Sequence, residues 1–242
     1  MKNYYYLYIN IIMKKFFTFV FITFFTTIML FFNACKKDDD GTNTTMPLVI
    51  TPDNTKPVIT LIGPQIMNVI LNSTYTEMGY TAVDNCDGDI TPSVVVSGTV
   101  DVNTAGTYVI TYTVSDAAGN IGTVDRTVKV ENAAKYLEGA YSVVDNADGY
   151  ISNYTDHITA SSITNNKVWV SYFANYENGA VYFTVSGNTI NIPSQDVNCG
   201  SPATLRNFVG SGTISGNTLT LTYTETVTGV NAIAGSQTYT KQ

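Results

Sequence analysis

The chain of 242 residues holds a single histidine, His157, a single tryptophan, Trp169, and three cysteines, Cys35, Cys86 and Cys199. His157 has no serine or cysteine nucleophile motif beside it and no zinc-ligand spacing around it, so neither triad chemistry nor a metal centre is indicated. Only twelve residues are basic. Nucleic-acid binding is driven by basic patches, so nucleic acid is not an expected partner. Helical periodicity is missing from everything after residue 35, while Val, Ile, Thr and Tyr are plentiful, which marks an all-β protein. Glu138, Glu177, Glu225 and the scattered aspartates do not have the spacing of a two-carboxylate glycosidase. The chain is therefore expected to be no enzyme and to need no cofactor.

One long uncharged run is present. Lys14-Lys15 precede Phe16–Phe32, and Asn33-Ala34-Cys35 follow. Two lysines, an apolar block and a small residue before the break have the layout of a secretory signal. As a retained membrane anchor the block is at the short end of the roughly 17 to 25 residues that a span needs. Ala34-Cys35 resembles the cleavage site of bacterial lipoproteins, in which the thiol carries diacylglycerol. The resemblance implies a signal peptide over 1–34, lipid attachment at Cys35 and membrane contact through that lipid; Phe32 and Asn33 depart from the usual pattern. Met13 is an alternative start. Lys36-Lys37-Asp38-Asp39-Asp40 resembles the signal that sends lipoproteins of Bacteroidetes-type bacteria across the outer membrane. That implies a lipid-anchored outer-membrane protein facing the cell exterior, with the periplasmic face as the alternative. Without Lys2, Lys14 and Lys15, nine basic residues face nineteen acidic ones, so the exported part carries about −10. Cys86 and Cys199 fall in different proposed domains, and two lone residues are expected rather than a bridge between them.

Residues 35–55 read as lipidated cysteine plus polar linker, interrupted by Pro47 and Pro52. The first folded unit, 56–132, has candidate strands at 58–62, 67–71, 76–83, 93–97, 106–115 and 122–131, the spacing of a sandwich. Tyr108, Ile110, Tyr112 and Val114 share one strand face, which is expected to build the core. Lys56-Pro57-Val58-Ile59-Thr60, Tyr80-Thr81-Ala82-Val83-Asp84-Asn85, Asp87-Gly88-Asp89-Ile90-Thr91, Gly106-Thr107-Tyr108 and Ser115-Asp116-Ala117-Ala118-Gly119-Asn120 resemble a bacterial immunoglobulin-like module. This module is found in surface lipoproteins and some pesticidal crystal proteins and is related to hyalin repeats. The resemblance implies a β-sandwich spacer or adhesive module without chemistry of its own. Asp84, Asp87, Asp89 and Asp116 are the one acidic cluster; they lack the EF-hand pattern and are expected to cap turns.

Asn132 to Lys135 reads as a brief hinge, and 136–242 holds about eight candidate strands, enough for an up-and-down barrel. Ser186-Gly187-Asn188-Thr189 and Ser215-Gly216-Asn217-Thr218 recur between alternating apolar residues, which predicts two tight hairpins. The opening Leu137–Tyr141 and closing Gln237–Tyr239 suit first and last strands that meet. The unit resembles small calycin-like, lipocalin-like domains. Trp169, Tyr172 and Phe173 are the candidate ligand-binding residues, because aromatic rings stack on sugars as well as filling cores. Strict alternation puts Val168, Val170 and Tyr172 on one face and Trp169, Ser171 and Phe173 on the other. The expectation is a non-enzymatic cell-surface lipoprotein, an immunoglobulin-like stalk presenting a barrel that binds carbohydrate. The alternatives are an adhesive or structural protein that binds another surface protein, and a lipocalin-like carrier of a small apolar ligand.

Overall fold

A computed structural model describes residues 34–35 and 51–242. The expected leader, the charged run and the side chain of Cys35 lie outside the described residues. Among the described residues no helix is long and apolar enough to cross a membrane. The described chain is all-β, with short 3-10 turns as its helical content.

A two-residue ladder joins β1 (Ala34–Cys35) to β2 (Thr51–Pro52). Two sheets then make the immunoglobulin-like sandwich. The smaller contains β3 (Val58–Leu61), β5 (Tyr80–Asp84) and β6 (Gly88–Asp89). The larger has the order β4-β9-β8-β7, from β4 (Ile66–Ile70), β7 (Val95–Ser97), β8 (Gly106–Ser115) and β9 (Ile121–Glu131), with β4 parallel to β9. On β8, Ile110, Tyr112 and Val114 are buried as alternation requires. Tyr112 meets Tyr80 of β5 at 4.9 Å between ring centroids.

The strand expected to start at residue 76 starts at Tyr80. Gly79 has φ +100°, which a strand does not tolerate, and its carbonyl accepts the Ile62 N–H. The preceding Glu77 turns instead to Arg126, a fully buried guanidinium 3.0 Å away, whose Nη1 also donates to the Pro64 carbonyl.

The acidic residues of this module cap turns. Asp84 Oδ1 accepts the N–H groups of Cys86 and Asp87, Asp89 Oδ1 that of Thr91, Asp87 Oδ2 that of Ala117, and Asp116 holds Asn120 through backbone and side chain at 2.7 Å each. Cys199 is a free, fully buried thiol, so it does not bridge to Cys86. In the full-length chain, which carries no lipid, Cys86 is disulfide-bonded, against the expectation of a lone residue.

By compactness the described chain falls into two units. One takes in the residues up to Ile62 with Gly79–Val96 and Thr111–Val124; the other takes in Gly63–Met78, Ser97–Ile110 and Asp125–Gln242. Within the second, Asn132 is 4% exposed and works as a clamp rather than a hinge. Its amide donates to the carbonyls of Ser161, Thr164 and Lys167, and its oxygen accepts from Ala134 and Asn166. A buried amide left without those bonds is costly.

The same unit holds a closed antiparallel barrel of eight strands in chain order: β10 (Gly139–Ala147), β11 (Tyr150–Ala160), β12 (Lys167–Val170), β13 (Val181–Ser186), β14 (Thr189–Cys199), β15 (Thr204–Ser215), β16 (Thr218–Thr226) and β17 (Ile233–Lys241). β17 closes on β10, with Tyr239 opposite Val143. The two Gly-Asn hairpins form as expected, but only their glycines, at φ +56° and +57°, take the left-handed conformation, as type II′ turns require at their first central residue. The asparagines that follow them, Asn188 and Asn217, do not take it. At Gly235 a Cβ would collide with the ring of Tyr223 directly opposite, so the missing side chain makes room for that ring.

Candidate functional site

The barrel offers two places where side chains gather: its outer wall at β12 and β13, and the half of its interior below the β10–β11, β12–β13, β14–β15 and β16–β17 connections. On the outer wall Trp169 and Tyr182 are register partners, their rings 5.3 Å apart and inclined at 59°. Lys167 lies over both, its Nζ 4.4 Å from the Trp169 ring and 3.8 Å from the Tyr182 ring. Trp169 is 39% exposed although its neighbours Val168 and Val170 are completely buried. The result is an indole edge in solvent beside a cation.

Alternation holds through Val170 and then fails. After β12 ends, Asp156 Oδ1 accepts the N–H groups of Ser171 and Tyr172, and a short turn with left-handed Ala174 and Asn175 follows. The polarity therefore inverts: Tyr172, expected on the face of the valines, is 49% exposed, whereas Phe173, expected on the face of Trp169, is fully buried. Phe173 sits edge-on to Phe183, Phe208 and Tyr223 in the core, so of the three candidate residues only Trp169 and Tyr172 can reach a ligand. Apolar side chains are also exposed at this end: Tyr150, Ile151 and Leu205 at the starts of β11 and β15, and Val230 between β16 and β17, are all more than half exposed.

Sequence reasoning missed the second place. Asp145, Asp156, Glu225 and Gln237 point inward and are each no more than 4% exposed. Glu225 pairs with Nη1 of Arg206 and accepts the Tyr176 hydroxyl at 3.2 Å on both oxygens; Arg206 stacks on Tyr176 at 4.1 Å. The Tyr223 hydroxyl donates to Asp145 at 3.0 Å, Gln237 donates to the Tyr154 hydroxyl at 3.0 Å, and Tyr239 donates to Asp156. Burial pushes the Asp145 carboxyl above the usual range, with bonds from Tyr223 and Gln237 pulling the other way. Burial also lifts the Tyr176 phenol to about 12, assisted by Glu225, and desolvation raises the Cys199 thiol. The hydrogen bonds of this network fix the orientation of its side chains.

The interior is filled. Tyr141, Phe173, Phe183, Phe208 and Tyr239 are among its largest fully buried side chains, packed with the aliphatic residues of the remaining strands. On the outside a shallow groove of about 540 Å³ runs past Asn146, Asp148, Val209, Thr222, Thr224 and Ser236, lined by polar and small apolar side chains but by no exposed ring.

Comparison with known proteins bears on the fold. No curated protein matches the chain in sequence. Among solved structures, a lipoprotein of Bacteroides thetaiotaomicron is similar at 21% identity, over 76% of this chain and 100% of that one, with a TM-score of 0.33. A candidate outer membrane protein of Bacteroides fragilis is similar at 12% identity over 77% of this chain and 94% of that one, with a TM-score of 0.36. A structure of CBM51-2 in complex with GlcNAc and the INT domains of Clostridium perfringens ZmpB matches at 15% identity, over 77% of this chain and 44% of that one, with a TM-score of 0.27. A family model matches residues 59–130, and that segment is an Ig-like domain of the bacterial surface protein type.

Proposed function

We propose that this chain is a non-enzymatic, lipid-anchored outer-membrane protein of the cell surface, whose barrel binds carbohydrate at the Trp169–Tyr182 pair. The observation that carries the binding assignment is the outward Trp169, left 39% exposed between two completely buried valines and flanked by Tyr182 and Lys167. An exposed indole beside a second ring is a platform for the apolar face of a sugar. The Lys167 ammonium adds a hydrogen-bond donor for ring hydroxyls or a carboxylate. A glycan array with the mature chain is expected to give hits that Trp169→Ala abolishes and that Thr222→Ala in the outer groove leaves intact. Silence across diverse glycans overturns the assignment.

The anchor reading rests on Ala34-Cys35 and the run that follows it. Mass spectrometry of the amino-terminal peptide is expected to show diacylglycerol on Cys35. A thioether uses up the Cys35 sulfur, so finding Cys35 disulfide-bonded to Cys86 in the exported protein overturns it. Protease added to intact cells is expected to digest the protein; full protection would place it on the periplasmic face instead.

A second reading is favoured by the exposed rim. Tyr150, Ile151, Tyr172, Leu205 and Val230 stand on strand ends and connections at one end of the barrel, and apolar residues grouped in this way suit contact with another surface protein. Loss of cell adhesion on Ile151→Ser with Leu205→Ser, with glycan binding unchanged, would establish it. The packed interior argues against an apolar-ligand carrier.

A further inference from the structure

Three of the four clustered acids of the sandwich have their roles in turns, but the fourth is only half accounted for. Asp84 closes β5 and is 3% exposed. Its Oδ1 accepts two N–H groups, from Cys86 at 2.8 Å and Asp87 at 3.0 Å. Its Oδ2 is buried and has no hydrogen-bond partner. A carboxylate oxygen removed from water without a partner is strongly disfavoured, so a native structure that keeps one needs an explanation.

A second acid is at hand. Ligand atoms of Asp53, Asp84 and Cys86 lie within 4.8 Å of one another. Asp53 comes from the segment read in the sequence as linker, yet it is fixed in place: its carbonyl accepts Asn120 Nδ2 at 3.2 Å, and Asn120 is in turn held by Asp116. Asp53 Oδ1 accepts the Thr55 N–H at 3.0 Å, which sets the direction of its carboxylate. Two carboxylates from chain positions 31 residues apart are thus held together, and like charges so placed repel.

We infer that Asp53 and Asp84 form a binding site for a hard divalent cation of the calcium class. The free ligand atoms are carboxylate oxygens, which such ions prefer, and water completes the six to eight positions calcium takes. Two carboxylates make a weak site, of the order of 10⁻⁴ to 10⁻³ M, the range of extracellular calcium modules. Bound there, the ion gives Asp84 Oδ2 its partner and ties the segment before β3 to the end of β5. Response to a softer ion instead is the competing outcome.

The test is thermal unfolding of the full mature chain, first with chelator and then with CaCl2 up to about 5 mM at constant ionic strength. The expected result is a saturable rise in Tm of roughly 3–8 °C. Asp84→Asn keeps the Oδ1 acceptor for the turn and should lose the rise; Asp53→Asn, outside the sheets, should lose it too and guards against a folding defect in the first variant. An unchanged Tm in the wild type, or the same rise in both variants, overturns the site. A response to ZnCl2 without one to CaCl2 overturns the assignment to a hard ion.

Discussion

The barrel interior is built in two ways along its axis. Toward the β13–β14 and β15–β16 hairpins it is aliphatic, with Val168, Val185, Ile190, Ile192, Ile214, Leu219 and Leu221 filling the space. Toward the other end it carries tyrosines and polar or ionisable groups: Tyr154, Tyr176 and Tyr223 with Asp145, Arg206, Glu225 and Gln237. The aliphatic half tolerates changes of shape and loses stability in proportion to the volume removed. The polar half is held by partners, and the loss of one member leaves another buried and unsatisfied. The cost of a substitution thus depends on which half it strikes.

The largest effect is expected from Glu225→Ala, which leaves the Arg206 guanidinium without its partner; a loss of about 3–5 kcal/mol should appear in urea unfolding. Replacing both partners, Arg206→Met with Glu225→Leu, should recover most of that loss; failure to recover would show that the pair does more than satisfy itself. Leu221→Ala in the aliphatic half should cost about 3 kcal/mol, and no second substitution nearby should be needed to explain it. At the tip of the β13–β14 hairpin Gly187→Ala should cost about 1 kcal/mol through its left-handed backbone, and Asn188→Ala much less.

The smallest effect is the one that depends on pH. The Asp145 carboxyl is raised in the fold, chiefly by burial, so the fold favours its neutral form. Its contribution is present below the ordinary aspartate pKa and is lost as the pH rises through the raised value. Asp145→Asn, neutral throughout, should therefore melt higher than the wild type at pH 7, with the gap closing as the medium is acidified. A gap that widens in acid would reverse the assignment.

The aliphatic half was legible in the sequence because alternation of Val and Ile with polar residues marks an inward face, and Gly-Asn marks the turns between. The polar half was not, because an acid in a strand carries no local mark that it faces inward. The signal was there in parity: Glu225 lies two residues beyond Tyr223 and four beyond Leu221, and Asp145 two beyond Val143, so each acid shares a face with core residues. Parity alone could not show that Arg206, on the neighbouring strand, would meet Glu225. Phe173 was misplaced for a different reason: Asp156, fifteen residues earlier, takes the Ser171 N–H and ends the strand, a long-range bond that local pattern does not show. The clamp at Asn132 is of the same kind, since its acceptors lie 29 to 35 residues away.

Closure of β17 on β10 also decides how the barrel bears a mechanical load. β10 is the strand by which the chain enters the barrel, and it is paired along nine residues with β11 and along seven with β17. Tension arriving from the amino-terminal side, with resistance at the far connections, pulls along β10 and so acts in shear on both ladders at once. Those rungs must rupture together rather than one after another, so the point of attachment is also where the barrel is hardest to peel open.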